Sequence, residues 1–499
     1  MRRSIVVWIA VLASVGMRAS LATAAASSDL AADIGPILDD KLLTRAQVGI
    51  EITRLGSSAT DAEVLFEHNP TAKLAPASNL KVITTSAALD RLGSDFKFRT
   101  LLLRHGQDLV LVGDGDPALG DAEALRPVGW DVTTVFKTWA AGLVRQGLNH
   151  FANLRVDDSV FDEQFVHPHW PLDQLHKRYE AGVGGLNLNA NCVDFLVRTT
   201  APHQLVQYTM DPPTQFVTVE NTCVSGDNNA IWLSRQPGTN QIILRGQTPQ
   251  STDVPVSVTI QDPSMFTGAV LGETLRSGGV TFTGSVLRDR TARSAYAQST
   301  TAGGSGGEWT LLAVNETPID TVISRANKDS MNLYAECLCK RLGFAESGRG
   351  TWADGTAAVG TFVHGLGIDS AELGLDDGCG LSHQNGISAR LMVRVLAHDF
   401  VAPYSKVFLS SLSVSGSDGT LKERFQNSYL RGRVIGKSGS INGVSCLCGF
   451  LHGSDDRWYA FSIMFNGIPE GTGIGAKLLE EKIIKAVDVD CAGGRPGRR

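Results

Sequence analysis

The chain has 499 residues, of which 42% are hydrophobic and 19% charged, a balance that supports packed cores in roughly two or three domains and excludes a disordered chain. A formal charge of −6 excludes the basic face that a nucleic-acid partner would need, and the short stretch GGRPGRR at 493–499 does not reverse this.

Arg2 and Arg3 precede the apolar run Ile5–Val15, and both Ala22-Thr23-Ala24 and Ala24-Ala25-Ala26 fit a small-residue cleavage site. Residues 1–26 therefore read as an export signal. The run is shorter than the ~20 residues a membrane span requires, so the mature chain is expected in the periplasm or cell wall without a transmembrane segment. All eight cysteines lie beyond the signal and would enter an oxidising compartment. Cys192 and Cys223 are candidates for a disulfide. Cys337 and Cys339 should point to different faces of a helix and not bond, whereas Cys446 and Cys448 should share one face of a strand. Neither C-x-C pair has zinc-site spacing. No metal and no cofactor is expected.

In chain order, alternation predicts a strand over Val48–Leu55, followed by a helix from Ser78 to about Leu92. Strand patterns follow at Lys97–Leu103 and Leu109–Val112, and after a helix at Val132–Gln146 they return at Gln215–Val219, Gln241–Leu244 and Val254–Ile260. Pro263–Gly278 reads as a helix and VTFTGSV at 280–286 as a strand. AQSTTAGGSGGE at 297–308 reads as a flexible surface loop. Helices are then expected at Thr317–Asn327, Met331–Leu342, Gly355–Gly365 and Ser388–Phe400. Strands follow at Arg433–Ser440, Ser445–Leu451 and Trp458–Phe465, with a last helix at Gly475–Val487. This pattern gives an α+β class: an antiparallel sheet covered by helices. It would be built from 27–95 and 290–490, interrupted by a β-rich insertion at 96–289 with two nested domains, and closed by a tail at 491–499.

Within PASNLKVITTS (76–86), Ser78 opens a helix and Lys81 follows one turn later, where the macrodipole disfavours a positive charge. Residues i and i+3 share a helix face, so the amine can reach the hydroxyl. It can act as a base only if burial or a second cation lowers its pKa. Ser330-Met331-Asn332 heads another helix, and Lys437-Ser438-Gly439 lies in the strand-like VIGKSGSI. Alone, each triplet reads as an N-cap serine or a charged strand end; in this order they compose a nucleophile, a base and a second cation.

S-x-x-K, S-x-N and K-[T/S]-G in this order resemble the motifs of the penicillin-recognising serine enzymes. About 250 positions separate Ser78 from Ser330, and the chain is identified as similar to the class C low-molecular-mass penicillin-binding proteins, which carry extra domains there. LVLVGDGDPALG, DDSVFDE, NKDSMNLYAE, LDDGCGLSHQNGISA, SGSDGTLKERF and IGKSGSINGVSCLCGFL extend the resemblance along the chain. It implies a penicillin-binding, β-lactamase-like catalytic domain that cleaves D-Ala-D-Ala termini and D-Ala cross-links of peptidoglycan and is acylated by β-lactams. Rival readings are a serine β-lactamase or esterase on this scaffold, or a non-catalytic wall-binding protein.

The resemblance implies that Ser78 is the nucleophile, Lys81 its base, Ser330 a proton relay and Asn332 a positioner of Lys81 and substrate. Lys437, expected in an open groove, and Ser438 would bind the terminal carboxylate, and Gly439 would leave room for a peptide along the strand. Backbone N–H groups of Ser78 and Ser440 would hold the oxyanion. Asp157, with Asp158 as alternative, would receive the peptide's side-chain amine. Met331 stands where the family carries Asp, and Ser438 where it usually carries Thr. Gly113, Gly115 and Gly120 imitate a dinucleotide fingerprint but read as a turn. Asp377 reads as a loop-shaping residue. His167, His169 and His176 lie close in sequence without a carboxylate at ligand spacing, and read as surface histidines.

Overall fold

The computed structural model describes residues 30–58, 61–301, 309–426 and 428–492; the expected signal and residues 493–499 of the tail lie outside them. An antiparallel six-stranded sheet runs in the order Ser413–Val414, Val434–Ile441, Val444–His452, Trp458–Asn466, Gln47–Arg54, Glu63–His68. Alternate side chains point to opposite faces. Ile50, Ile52, Leu447, Phe461 and Ile463 pack against the terminal helix Gly473–Cys491 and Leu30 and Ile34 of the helical stretch 30–38. From the other face Cys446, Cys448, Phe450 and Met464 join the core that holds the remaining helices of this layer.

At the centre of that core is the helix Leu80–Leu92, buried at every position from Leu80 to Leu89. Three of the buried residues are Thr84, Thr85 and Ser86, which would be costly unpaired. Their hydroxyls donate to Gly378 O at 2.7 Å, Lys81 O at 2.8 Å and Val82 O at 2.7 Å. The helix therefore lacks a polar face and is fixed on all sides.

A second, five-stranded sheet orders Val286–Arg288, Leu154–Asp157, Asp108–Val112, Lys97–His105 and Trp309–Pro318. Helices Thr134–Arg145 and Pro263–Ser277 bury Phe136, Leu143, Phe266 and Leu271 in its core. Smaller sheets join Val256–Thr259, Cys192–Arg198 and Gln207–Asp211, and separately Gln241–Thr248 with its neighbours. Trp309–Pro318, unanticipated from the sequence, pairs along the length of Lys97–His105.

Several expectations change. The presumed loop at 297–308 begins as the end of helix Ala292–Thr301, and 302–308 lie outside the described residues. VTFTGSV divides into Thr281–Phe282 and Val286–Arg288, strands of different sheets. All eight cysteines are free thiols: Cys192 and Cys223 are each buried without bonding, the Cys192 thiol facing Ala190 O at 3.4 Å. The 113–120 glycines permit tight packing: a Cβ on Gly115, at φ +81°, would meet the Phe161 ring at 2.3 Å.

Candidate active site

Ser78 is half-buried in the 3-10 turn Ala77–Asn79, which runs directly into Leu80–Leu92. Ala77, just before it, has φ +47°, a left-handed conformation that costs energy for a residue with a Cβ. The turn packs on the Val434–Ile441 strand at Gly439, where an added Cβ would lie 2.8 Å from Pro76 O and 3.0 Å from Asn79 N. This gives that glycine a reason the sequence did not announce. Its missing side chain admits the nucleophile's turn, which holds Ser78 against the strand.

Lys81 is fully buried. Its Nζ donates to Asn332 Oδ1 at 2.7 Å and to Cys379 O at 2.8 Å, and lies 3.0 Å from Ser78 Oγ. The first two partners can only accept, whereas a hydroxyl can also donate. In its neutral form the amine has two hydrogens, and giving both to the fixed acceptors would leave its lone pair toward Ser78. Burial lowers the Lys81 pKa from the usual lysine value, opposed by Cys379, Asp377 and Glu336.

Asn332 is the first residue of helix Asn332–Ser347 and is held at both ends, its Nδ2 donating to Tyr179 O at 2.8 Å. Ser330, at φ +57°, makes the bend before this helix. Met331, the N-cap, makes no side-chain cap and packs partly buried against the main core. Lys437 overturns the open-groove expectation, being fully buried with Nζ donating to Ser330 Oγ at 3.0 Å and Ser438 O at 2.6 Å. Burial, then the charge of Lys81, holds its pKa well below the usual lysine value.

Two carboxylates brace this centre. Glu336, one turn after Asn332, accepts from Cys379 N and Trp352 Nε1, each at 2.7 Å, and from Gly378 N at 3.0 Å. Burial, reinforced by Asp377, pushes its pKa up to about 7. Asp377 accepts from Gly380 N and Ser382 N at 2.7 Å, Asn385 Nδ2 at 2.8 Å and Trp170 Nε1 at 3.0 Å. Asp377 therefore shapes the loop that presents Cys379 O to Lys81. Glu336 escaped sequence reasoning, although a glutamate one turn beyond Asn332 on a largely apolar helix face was a signal for it.

A cleft of about 400 Å³ opens over Ser78 and is lined by Ser330, Asn332 and Ser440. Gln174 and Tyr179 of the inserted region and His383 of the Asp377 loop complete its walls. No motif marked Gln174 or Tyr179, because tertiary packing alone brings them here, and His383 lies within LDDGCGLSHQNGISA without having been singled out. Ser413–Val414 pairs only with Gly436 and Ile435, so among the described residues the edge of the Lys437 strand from Ser438 onward has no strand partner.

Asp157 does not join the site. It is fully buried at the end of its strand, Oδ1 accepting from Ser159 N at 2.8 Å and Oδ2 from Arg293 N at 2.6 Å. Asp158 pairs with Arg290 at 2.8 Å and Arg288 at 3.2 Å. Both carboxylates fix the chain around a strand end. The histidines also differ from expectation: His167 is buried, and Asp376 places a carboxylate beside His167 and His169, while His176 is not in that group.

A serine and a depressed lysine at the head of a buried helix, against the edge of an antiparallel sheet, define the serine–lysine class of acyl-transfer scaffold. The chain belongs to the D-Ala-D-Ala carboxypeptidase 3 (S13) family, whose pattern matches residues 30–482 and so includes the inserted region. It is 32% identical over 475 residues to the D-alanyl-D-alanine carboxypeptidase of Actinomadura sp. (strain R39), covering 89% of this chain and 82% of that one. Its fold is similar to that of penicillin binding protein 4 from Haemophilus influenzae, with a TM-score of 0.73, 22% identity, and 93% and 99% of the two chains covered. A complex of that protein with a β-lactam superposes with a TM-score of 0.67, at 23% identity and the same coverage. No helix among the described residues is long and apolar enough to cross a membrane.

Proposed function

We propose that this protein is an exported serine DD-peptidase that cleaves D-Ala-D-Ala termini, and D-Ala cross-links, of peptidoglycan peptides. The observation that carries this reading is the Lys81 amine, 3.0 Å from Ser78 Oγ with both its other contacts to fixed acceptors. Lys81 takes the hydroxyl proton as Ser78 attacks the carbonyl carbon, and backbone N–H groups of Ser78 and Ser440 hold the oxyanion. Ser330, already hydrogen-bonded to Lys437, passes a proton to the departing amine of D-Ala. Water then hydrolyses the acyl-enzyme.

The peptide adds as a strand along the free edge beyond Ser438, its carboxylate received by the Ser438 hydroxyl and by Lys437. With Asp157 buried elsewhere, Asp173 is the better candidate for a peptide side-chain amine. It is exposed, in the turn Leu172–Gln174 whose neighbours Pro171 and Gln174 line the cleft. We place the catalytic domain at 27–95 together with the chain after the second sheet, and extend the insertion from 96–289 to the end of Trp309–Pro318, because that strand completes the insertion's sheet.

Fluorescent penicillin tests the reading. A lasting adduct on the wild type, absent in Ser78→Ala, together with D-Ala release from a pentapeptide, supports a DD-peptidase. Rapid turnover of the antibiotic would make it a β-lactamase, and absence of both adduct and hydrolysis a binding protein.

A further inference from the structure

The cluster of His167, His169 and Asp376 is not used by the chemistry above. His167-Pro168-His169-Trp170 is a turn closed by Trp170 N donating to His167 O at 3.2 Å, with proline at its first central position. It turns both imidazoles the same way, their ring centres 5.4 Å apart. Asp376, 207 positions away, brings its carboxylate to 2.9 and 3.0 Å from His169 Nδ1, and to 3.8 Å from His167 Nδ1. All three ligand atoms lie within 4.8 Å of one another.

We propose that His167, His169 and Asp376 form a Zn²⁺ site that clips the inserted segment to the loop beneath Lys81. Two imidazoles and a carboxylate are a borderline donor set suited to zinc. Zinc bonds of about 2.0–2.1 Å in a tetrahedron put ligand atoms roughly 3.4 Å apart, and the contacts that Asp376 Oδ2 makes, 3.0 Å to His169 Nδ1 and 3.8 Å to His167 Nδ1, straddle that spacing. His169, with 43% of its side chain exposed, leaves one side open for a water as fourth ligand.

The surroundings hold the ligands in place, as an outer shell should. The His167 ring sits edge-on to Trp352, with centres 5.0 Å apart, and Asp376 N donates to Asn385 Oδ1 at 2.8 Å. The other group of this kind, Glu336, Asp377 and Cys379, has its carboxylates committed to several backbone and indole N–H groups at 2.7–3.0 Å, whereas His167 Nδ1 accepts a longer, 3.3 Å contact from His169 N that an ion would displace. An ion at the histidine site would tie Trp170 and Asp377, already hydrogen-bonded, more tightly together. Through Asp377 it would steady the loop whose Cys379 O meets Lys81.

The test uses the full mature chain, stripped with chelator, dialysed against micromolar zinc chloride and measured for bound metal and melting temperature. The expected result is close to one zinc per chain and a rise in Tm of about 3 °C or more at saturating zinc. His169→Ala and Asp376→Asn, at sites exposed enough to fold, should each lose the metal and the rise, while His176→Ala keeps both. No retained zinc in the wild type, or equal retention in His169→Ala and Asp376→Asn, overturns the proposal.

Discussion

The junction of the Ser78 turn with the Lys437 strand and the inserted segment at 154–180 both bring polar groups toward one cleft, by different means. At the junction, local geometry does most of the work. Ser78 and Lys81 meet because they are one helical turn apart, and Asn332 and Glu336, one turn apart on another helix, reach Lys81 and the Cys379 loop that Lys81 binds. In the inserted segment, Tyr179 meets Asn332 through its backbone carbonyl, and Asp157 and Asp158, adjacent in sequence, bind different partners. Chemistry tied to helix periodicity can be read from spacing; the lip of the cleft exists only after the second sheet has packed.

The largest effect expected from breaking the junction is at Lys81. Lys81→Met should lower acylation of Ser78 by about 10²–10⁴-fold, the range of a lost general base, checked by stopped-flow with a chromogenic β-lactam. Next comes the contact between turn and strand. Gly439→Ala forces a Cβ to within 2.8 Å of Pro76 O and should cost about 1–3 kcal/mol as overpacking. Chemical denaturation would record it, along with slower acylation as the Ser78 turn is displaced.

The two aspartates of the inserted region sharpen the comparison. Asp173→Asn should raise KM by about fivefold for peptides with a free side-chain amine, the ~1 kcal/mol of an exposed charge pair. Blocked peptides should be unaffected. Asp157→Asn should instead lower stability, since its two oxygens hold Ser159 N and Arg293 N, and leave KM unchanged.

A further effect concerns pH. Asp399, fully buried, accepts from Ser86 and from Tyr404 OH, and burial pushes its pKa up to about 8 from the ordinary 3.8. The folded state then holds a proton that the unfolded state releases between those values, so stability falls as pH rises from about 4 to about 8. Asp399→Asn should shrink the drop in Tm between pH 5 and pH 8, as differential scanning calorimetry would show.

Much of the sheet and most helices were legible in the sequence because their hydrophobic period survives in each segment. The Trp309–Pro318 strand was not, since all but one of its residues are exposed or half-buried and its pairing with Lys97–His105 spans about 200 positions. The meeting of Ser78, Lys81, Ser330, Asn332 and Lys437 was anticipated, but the burial of Lys437 was not, because strand alternation does not say which face a helix covers. Gly439 was placed on the right strand, but its close approach to the Ser78 turn was not foreseen. Asp376 reached His169 across the fold, where no local spacing could announce it.

The pH dependence of Ser78 acylation by a β-lactam probes the neutral Lys81 amine most directly. The rate should climb with pH, following the unprotonated fraction of a lysine whose pKa lies below the ordinary 10.5, and Lys81→Met should abolish that climb. A rate that ignores pH, or that rises only through 10.5 or above, or that survives intact in Lys81→Met, would contradict the assignment of Lys81 as the base.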